Sequence, residues 1–126
     1  MNNELYSKLK QLDIEDFIWL IYLFIIFYSW YSNSLERKYF LTKNSIFKSK
    51  YNNTIRLIFS ILIIVYIYFL KSSISDLKSL KSTDSIHRKN LVYLSFLGSL
   101  FVTISGIIFL FIAFNDDNID VELAFN

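Results

Sequence analysis

Residues 91–114 read LVYLSFLGSLFVTISGIIFLFIAF, and no charge interrupts them. As a helix these 24 residues extend about 36 Å at roughly 1.5 Å per residue, longer than the ~30 Å hydrocarbon core of a bilayer. Sixteen of them are Leu, Ile, Val or Phe, each favouring insertion by about 0.3–0.6 kcal/mol, which outweighs the few hydroxyls. A soluble protein would have to cover such a helix on every side, and a chain of 126 residues leaves too little else to do so.

Two shorter runs precede it. Residues 55–70, IRLIFSILIIVYIYFL, close at Lys71, and Arg56 lies one turn inside, where its long stem allows the guanidinium to reach back to the headgroups. Residues 17–32, FIWLIYLFIIFYSWYS, carry Trp19 near one end and Trp30 with Tyr31 near the other, the placement of two interfacial aromatic belts. Asp13 and Asp16 have the spacing of an N-cap and a third-position acid, so a helix is expected to start there. Two short spans beside a long one imply local bilayer thinning or a tilted third helix. The first run follows a mixed-charge stretch and no small-residue cleavage site succeeds it, unlike a cleaved signal.

Composition agrees with this division. Hydrophobic residues make up 54% of the chain, and the polar ones gather in blocks at 1–16, 33–54, 71–90 and 115–126. There is no cysteine, which removes thiolate chemistry and disulfides, and the net charge of +2 is too small to argue for nucleic acid. The expected fold is therefore an all-α integral membrane protein of one domain, with three transmembrane helices and amphipathic or interfacial helices in the N-terminal block and loops.

Leu5, Leu9 and Leu12 share one side of a helix, fitting either a segment lying on the membrane or the first turns of a longer helix. In block 33–54, Arg37, Lys38, Lys43, Lys48 and Lys50 alternate with aromatic and aliphatic residues, as in an interfacial loop. Block 71–90 contains a helix-start signal, Ser73 followed by Asp76, and ends in Arg88 and Lys89 beside the third span. The lone His87 stands next to these two cations and makes a poor metal ligand.

Membrane topology places the N-terminal block with 71–90 and the first loop with the tail. Lys and Arg number seven on the former side and six on the latter, so Arg88 and Lys89 at the third span break the tie. The expected orientation has the N-terminus inside and the C-terminus outside a plasma (cytoplasmic) membrane.

No constellation for catalysis, metal or cofactor is present. Carboxylates are absent from the three runs, there is no glycine-rich phosphate loop, and no nucleophile stands beside a base. The chain is not expected to be an enzyme, nor to require a cofactor. What stands out is a stripe in the third run. Ser95, Ser99, Thr103 and Gly106 recur at helical spacing, with Gly98 and Ser105 flanking. Small residues let helix backbones approach in lipid, so the stripe suits packing within the chain, packing between copies, or the wall of a narrow pore.

The tail, residues 115–126, supplies a different pattern. Ile119, Val121, Leu123 and Phe125 alternate with polar or small residues, which fits a strand that would need a partner from another molecule. A short helix capped by Asp117 or Asn118, or an end without order, fits as well. The acids Asp116, Asp117, Asp120 and Glu122 would favour cations if they ringed a pore mouth.

In chain size and span count the sequence resembles small three-span holin-type proteins, in architecture alone; the acidic tail departs from the basic ends of such proteins. Two functions are therefore expected as alternatives. One is a homo-oligomeric pore, ion channel or membrane-perturbing effector, with membrane lipid as its surroundings. The other is an accessory or immunity subunit that docks a protein partner through its tail or second loop.

Overall fold

A computed structural model of the chain describes residues 2–119, 121 and 123. Three long helices follow one another: α1 (Asn3–Thr42), α2 (Ser45–Lys78) and α3 (Ile86–Asn115). Among the described residues there is no strand.

The helices end at caps and not where the apolar runs end. Asn2 Oδ1 accepts from the Glu4 N–H at 2.7 Å and starts α1. No glycine or proline follows to break it, so α1 runs straight through Asp13 and Asp16, and residues 3–16 are its first turns. The 33–54 block is likewise helical except at Lys43 and Asn44. Lys43 takes a left-handed conformation (φ 56°) and donates its N–H to the Tyr39 carbonyl, while Asn44 accepts from the Ile46 N–H and caps α2. The expected interfacial loop is the tip of a helical hairpin. Ser73 caps nothing: it is buried inside α2 and donates to the Leu70 carbonyl. The cap of α3 is Ser85, which accepts from the Arg88 N–H at 3.1 Å.

The hairpin closes on a seam of period seven. Ile18, Ile25 and Ser32 on α1 lie seven apart and are buried, as are Tyr51, Ile58 and Val65 on α2, with Ile55 and Leu62 between them. A repeat of seven returns residues to nearly the same side of a helix, so the buried positions of each helix form a continuous line. Ser32 is wholly buried and satisfies its hydroxyl on the Ser29 carbonyl, so the backbones can approach at the hairpin's middle. On another face of α2, Phe59 meets Phe109 of α3 with ring centroids 5.7 Å apart. Helix α2 is thus the centre of the molecule. Among the described residues, α1 and α3 bring no Cα atoms within 8 Å of each other.

This open arrangement leaves a large apolar surface. The accessible area is 8940 Å², against roughly 7,000 Å² for a compact soluble monomer of this mass. Phe17, Trp19, Leu20, Ile26, Ile64, Phe101 and Phe111 are among the residues more than half exposed. Helices α2 and α3 are long and apolar enough to cross a membrane, and only 28% and 17% of their most apolar stretches are buried within the chain. The core helix of a soluble protein would be mostly covered. Helix α1 is not among them, so among the described residues two such helices stand where three spans are expected from the sequence. The physical reason lies in its 17–32 run, where two Trp, three Tyr and two Ser dilute the aliphatic residues and Asp16 abuts the end.

Candidate functional site: a groove along α2 and α3

The small residues of α3 differ in burial along its length. Thr103 and Gly106 are buried against α2. A Cβ built on Gly106 would lie 2.8 Å from both Ile63 Cδ1 and Tyr66 Cδ2, so any larger residue would require these side chains to shift. Thr103 Oγ1 donates to the Ser99 carbonyl at 2.8 Å and lies 3.4 Å from the Tyr66 carbonyl oxygen. Ala113 is buried at the far end of the same contact. These positions are consumed within the chain.

Ser95, Gly98 and Ser99 are placed otherwise. With Val102 they form one wall of a cleft of about 350 Å³ whose other walls are Tyr22 of α1 and Tyr66 and Phe69 of α2. A second cleft of about 260 Å³ continues from it, sharing Tyr66 and Val102 and reaching Phe59, Phe101, Ser105, Gly106 and Phe109. The two form one groove along α2 and α3, mostly apolar, with serine hydroxyls and tyrosine rings along its length. Nothing lies within 4 Å of a Cβ added at Gly98. Tyr22, Tyr66 and Phe69 escape a reading of composition, because aromatics are everywhere in these runs. Tyr22 and Ser29 lie seven apart, as do Tyr66 and Phe59, and that spacing is the available signal.

The tail is held by its own chain. Ile119 and Leu123 are buried in the cluster of Tyr51, Ile55 and Ala113. Asp116 shapes the turn by accepting from the Asn118 and Val121 N–H groups at 3.1 and 2.9 Å. Lys48 Nζ stands 3.5 Å from Asn118 Oδ1. The described tail residues are therefore a hook over α2 and not an extended strand, and Ile119 has φ 57°. Asp117 and Val121 are exposed; the expectations for Asp120, Glu122 and Phe125 lie outside the described residues.

The residues expected as interface anchors lie at or near the ends of the runs. Trp19 and Trp30 are 69% and 72% exposed, and Tyr31 is exposed too. Arg88 pairs with Asp84 at 3.8 Å and Lys89 Nζ donates to the Ser82 carbonyl, so both brace the 79–85 connection. Arg56 is not free at the surface: its Nε donates to the Ala113 carbonyl at 3.0 Å. Among the described residues no three His, Cys, Asp or Glu side chains gather as a metal site would need. Comparison with protein families, curated proteins and solved structures finds no match.

Proposed function

We propose that the chain is an integral membrane protein whose three helices all cross the bilayer, and that copies associate through the α2–α3 groove to make a pore or otherwise perturb the membrane. In this arrangement the hairpin tip and tail share one side, and the N-terminus and residues 79–85 share the other, the cytoplasmic one. The observation that carries the reading is the groove itself. It lies at the depth of the apolar runs, and its Ser95 and Gly98 are exposed, with nothing within 4 Å of a Cβ at Gly98. Lipid offers little hydrophobic drive for helix association, so a small-residue wall is where a neighbouring helix gains contact.

The test is solute leakage and single-channel current from protein in liposomes, beside a Ser95→Leu, Gly98→Leu variant. Both positions are exposed, so the variant fills the groove while leaving the Gly106 contact intact. Loss of leakage and of the homo-oligomer in detergent is the expected result; wild-type protein that is monomeric and silent overturns the reading.

The accessory-subunit reading has one observation in its favour. At the hairpin tip Phe40, Leu41 and Ile46 are exposed, with Lys43 Nζ 4.9 Å from the Phe40 ring centroid. A tip of apolar and cationic residues suits a protein partner, whereas the tail is already engaged with α2.

A further inference from the structure

Three apolar runs of unequal length are held in one register. The α1–α2 turn contains only Lys43 and Asn44, so residues equally far from it stand at the same height, 32 beside 55 and 17 beside 70. The clefts agree: Gln11 lies with Ser75 and Asp76, and Tyr22 with Tyr66. Between α2 and α3 the register is read from Arg56 with Ala113, Phe59 with Phe109 and Tyr66 with Thr103. Residues 99–114 therefore stand beside 55–70 and 17–32.

The three runs share one polar edge, at Asn33, Arg56 and Asn115. They part at the other edge. There α1 and α2 turn polar at Asp16 and Lys71, while α3 remains apolar for eight more residues, to Leu91. Those residues reach about 12 Å further at 1.5 Å per residue. Leu91, Tyr93, Leu94 and Leu97 are exposed there, and on α1 Asp13 and Asp16 are exposed at matching height.

We infer that the chain, taken as the membrane protein proposed above, holds the bilayer at two thicknesses: thinned beside α1 and full beside α3. The 16-residue run of α1 covers about 24 Å, short of the ~30 Å core. Lysine could bridge such a gap by snorkelling, but aspartate has one methylene and cannot. A carboxylate in hydrocarbon costs several kcal/mol, whereas thinning costs fractions of a kcal/mol per Å. The lipid deforms and the acids stay wet. Beside α3 the opposite holds, because thinning there would expose Leu91, Leu94 and Leu97 to water.

Trp19 and Trp30 face outward on α1 and report the lipid beside it. The full chain is reconstituted in vesicles mixing brominated dimyristoleoyl-phosphatidylcholine with unbrominated dierucoyl-phosphatidylcholine, and tryptophan quenching is measured. A local enrichment of the short lipid of about threefold or more over its bulk share is expected at α1. A Trp19→Phe, Trp30→Phe, Leu94→Trp variant moves the reporter to α3, where the preference should vanish or reverse. An Asp13→Leu, Asp16→Leu variant with the native tryptophans should lose at least half of the enrichment. Equal quenching on both sides, in protein that floats with the vesicles, overturns the inference and leaves the membrane reading standing. Protein that does not float overturns both.

Discussion

Arg56 Nε donates to the carbonyl oxygen of Ala113 at 3.0 Å, and its guanidinium carbon lies 5.3 Å from the Phe114 ring centroid. The last turn of α3 has no basic residue of its own, and its final carbonyls lack intrahelical partners. Arg56 supplies from α2 both the donor and the positive charge that this helix end favours. An arginine read as snorkelling toward the headgroups is thus a cross-helix cap.

Arg56→Leu should accordingly lower stability by about 1.5–3 kcal/mol, the range for a hydrogen bond to a charged group. Arg56→Lys should recover only part, since an ammonium lacks the planar face that stacks on Phe114. Denaturant titration of helicity in detergent micelles checks both.

The two glycines of α3 should respond in opposite ways. Gly106→Ala drives a methyl into Ile63 and Tyr66 and should cost about 1–3 kcal/mol. Gly98→Ala meets open space and should be neutral or stabilising by less than about 1 kcal/mol. Equal losses in the same titration would contradict the contrast between a closely packed Gly106 and an open Gly98.

Two serines in the hairpin seam make another contrast. Ser29 Oγ is buried without a hydrogen-bond partner, so Ser29→Ala should be neutral or slightly stabilising. Ser32 is fully enclosed, and Ser32→Leu should separate the helices at a cost of about 1–3 kcal/mol or more. Disulfide trapping between cysteines placed at exposed neighbours on α1 and α2 would read the separation directly.

The tail should come loose when its apolar anchors are removed. Ile119→Asp with Leu123→Asp puts two charges against Tyr51, Ile55 and Ala113, an arrangement that burial cannot sustain. Amide exchange at residues 49–55, and protease access to the segment after Asp116, should rise while the α1–α2 seam stays protected.

Much of this was legible in the residues. The uncharged run at 91–114 and the absence of proline require long apolar helices, and the small residues of α3 mark where backbones approach. Helix ends were less legible. Asp13 and Ser73 are good caps by type, yet each lies inside a continuing helix, because a cap residue ends nothing unless the backbone before it is free to leave. Propensity is local, and with no glycine or proline near Asp13 or Ser73 the helices run on to Asn3 and Lys78. The tail's alternation was real in sequence, but Ile119 and Leu123 found an apolar partner in α2 first.

By itself, then, the sequence determined that the chain is helical and rich in lipid-compatible surface, since those follow from side-chain transfer energies and the lack of helix breakers. Only the tertiary structure decided that α2 is the centre, that Thr103 and Gly106 are buried against it while Ser95 and Gly98 stay exposed, and that the three apolar runs share one edge and not the other. Those are facts of register, set by a two-residue turn, a seam of period seven and one arginine's bond to a helix end, and register depends on contacts between residues far apart in the chain.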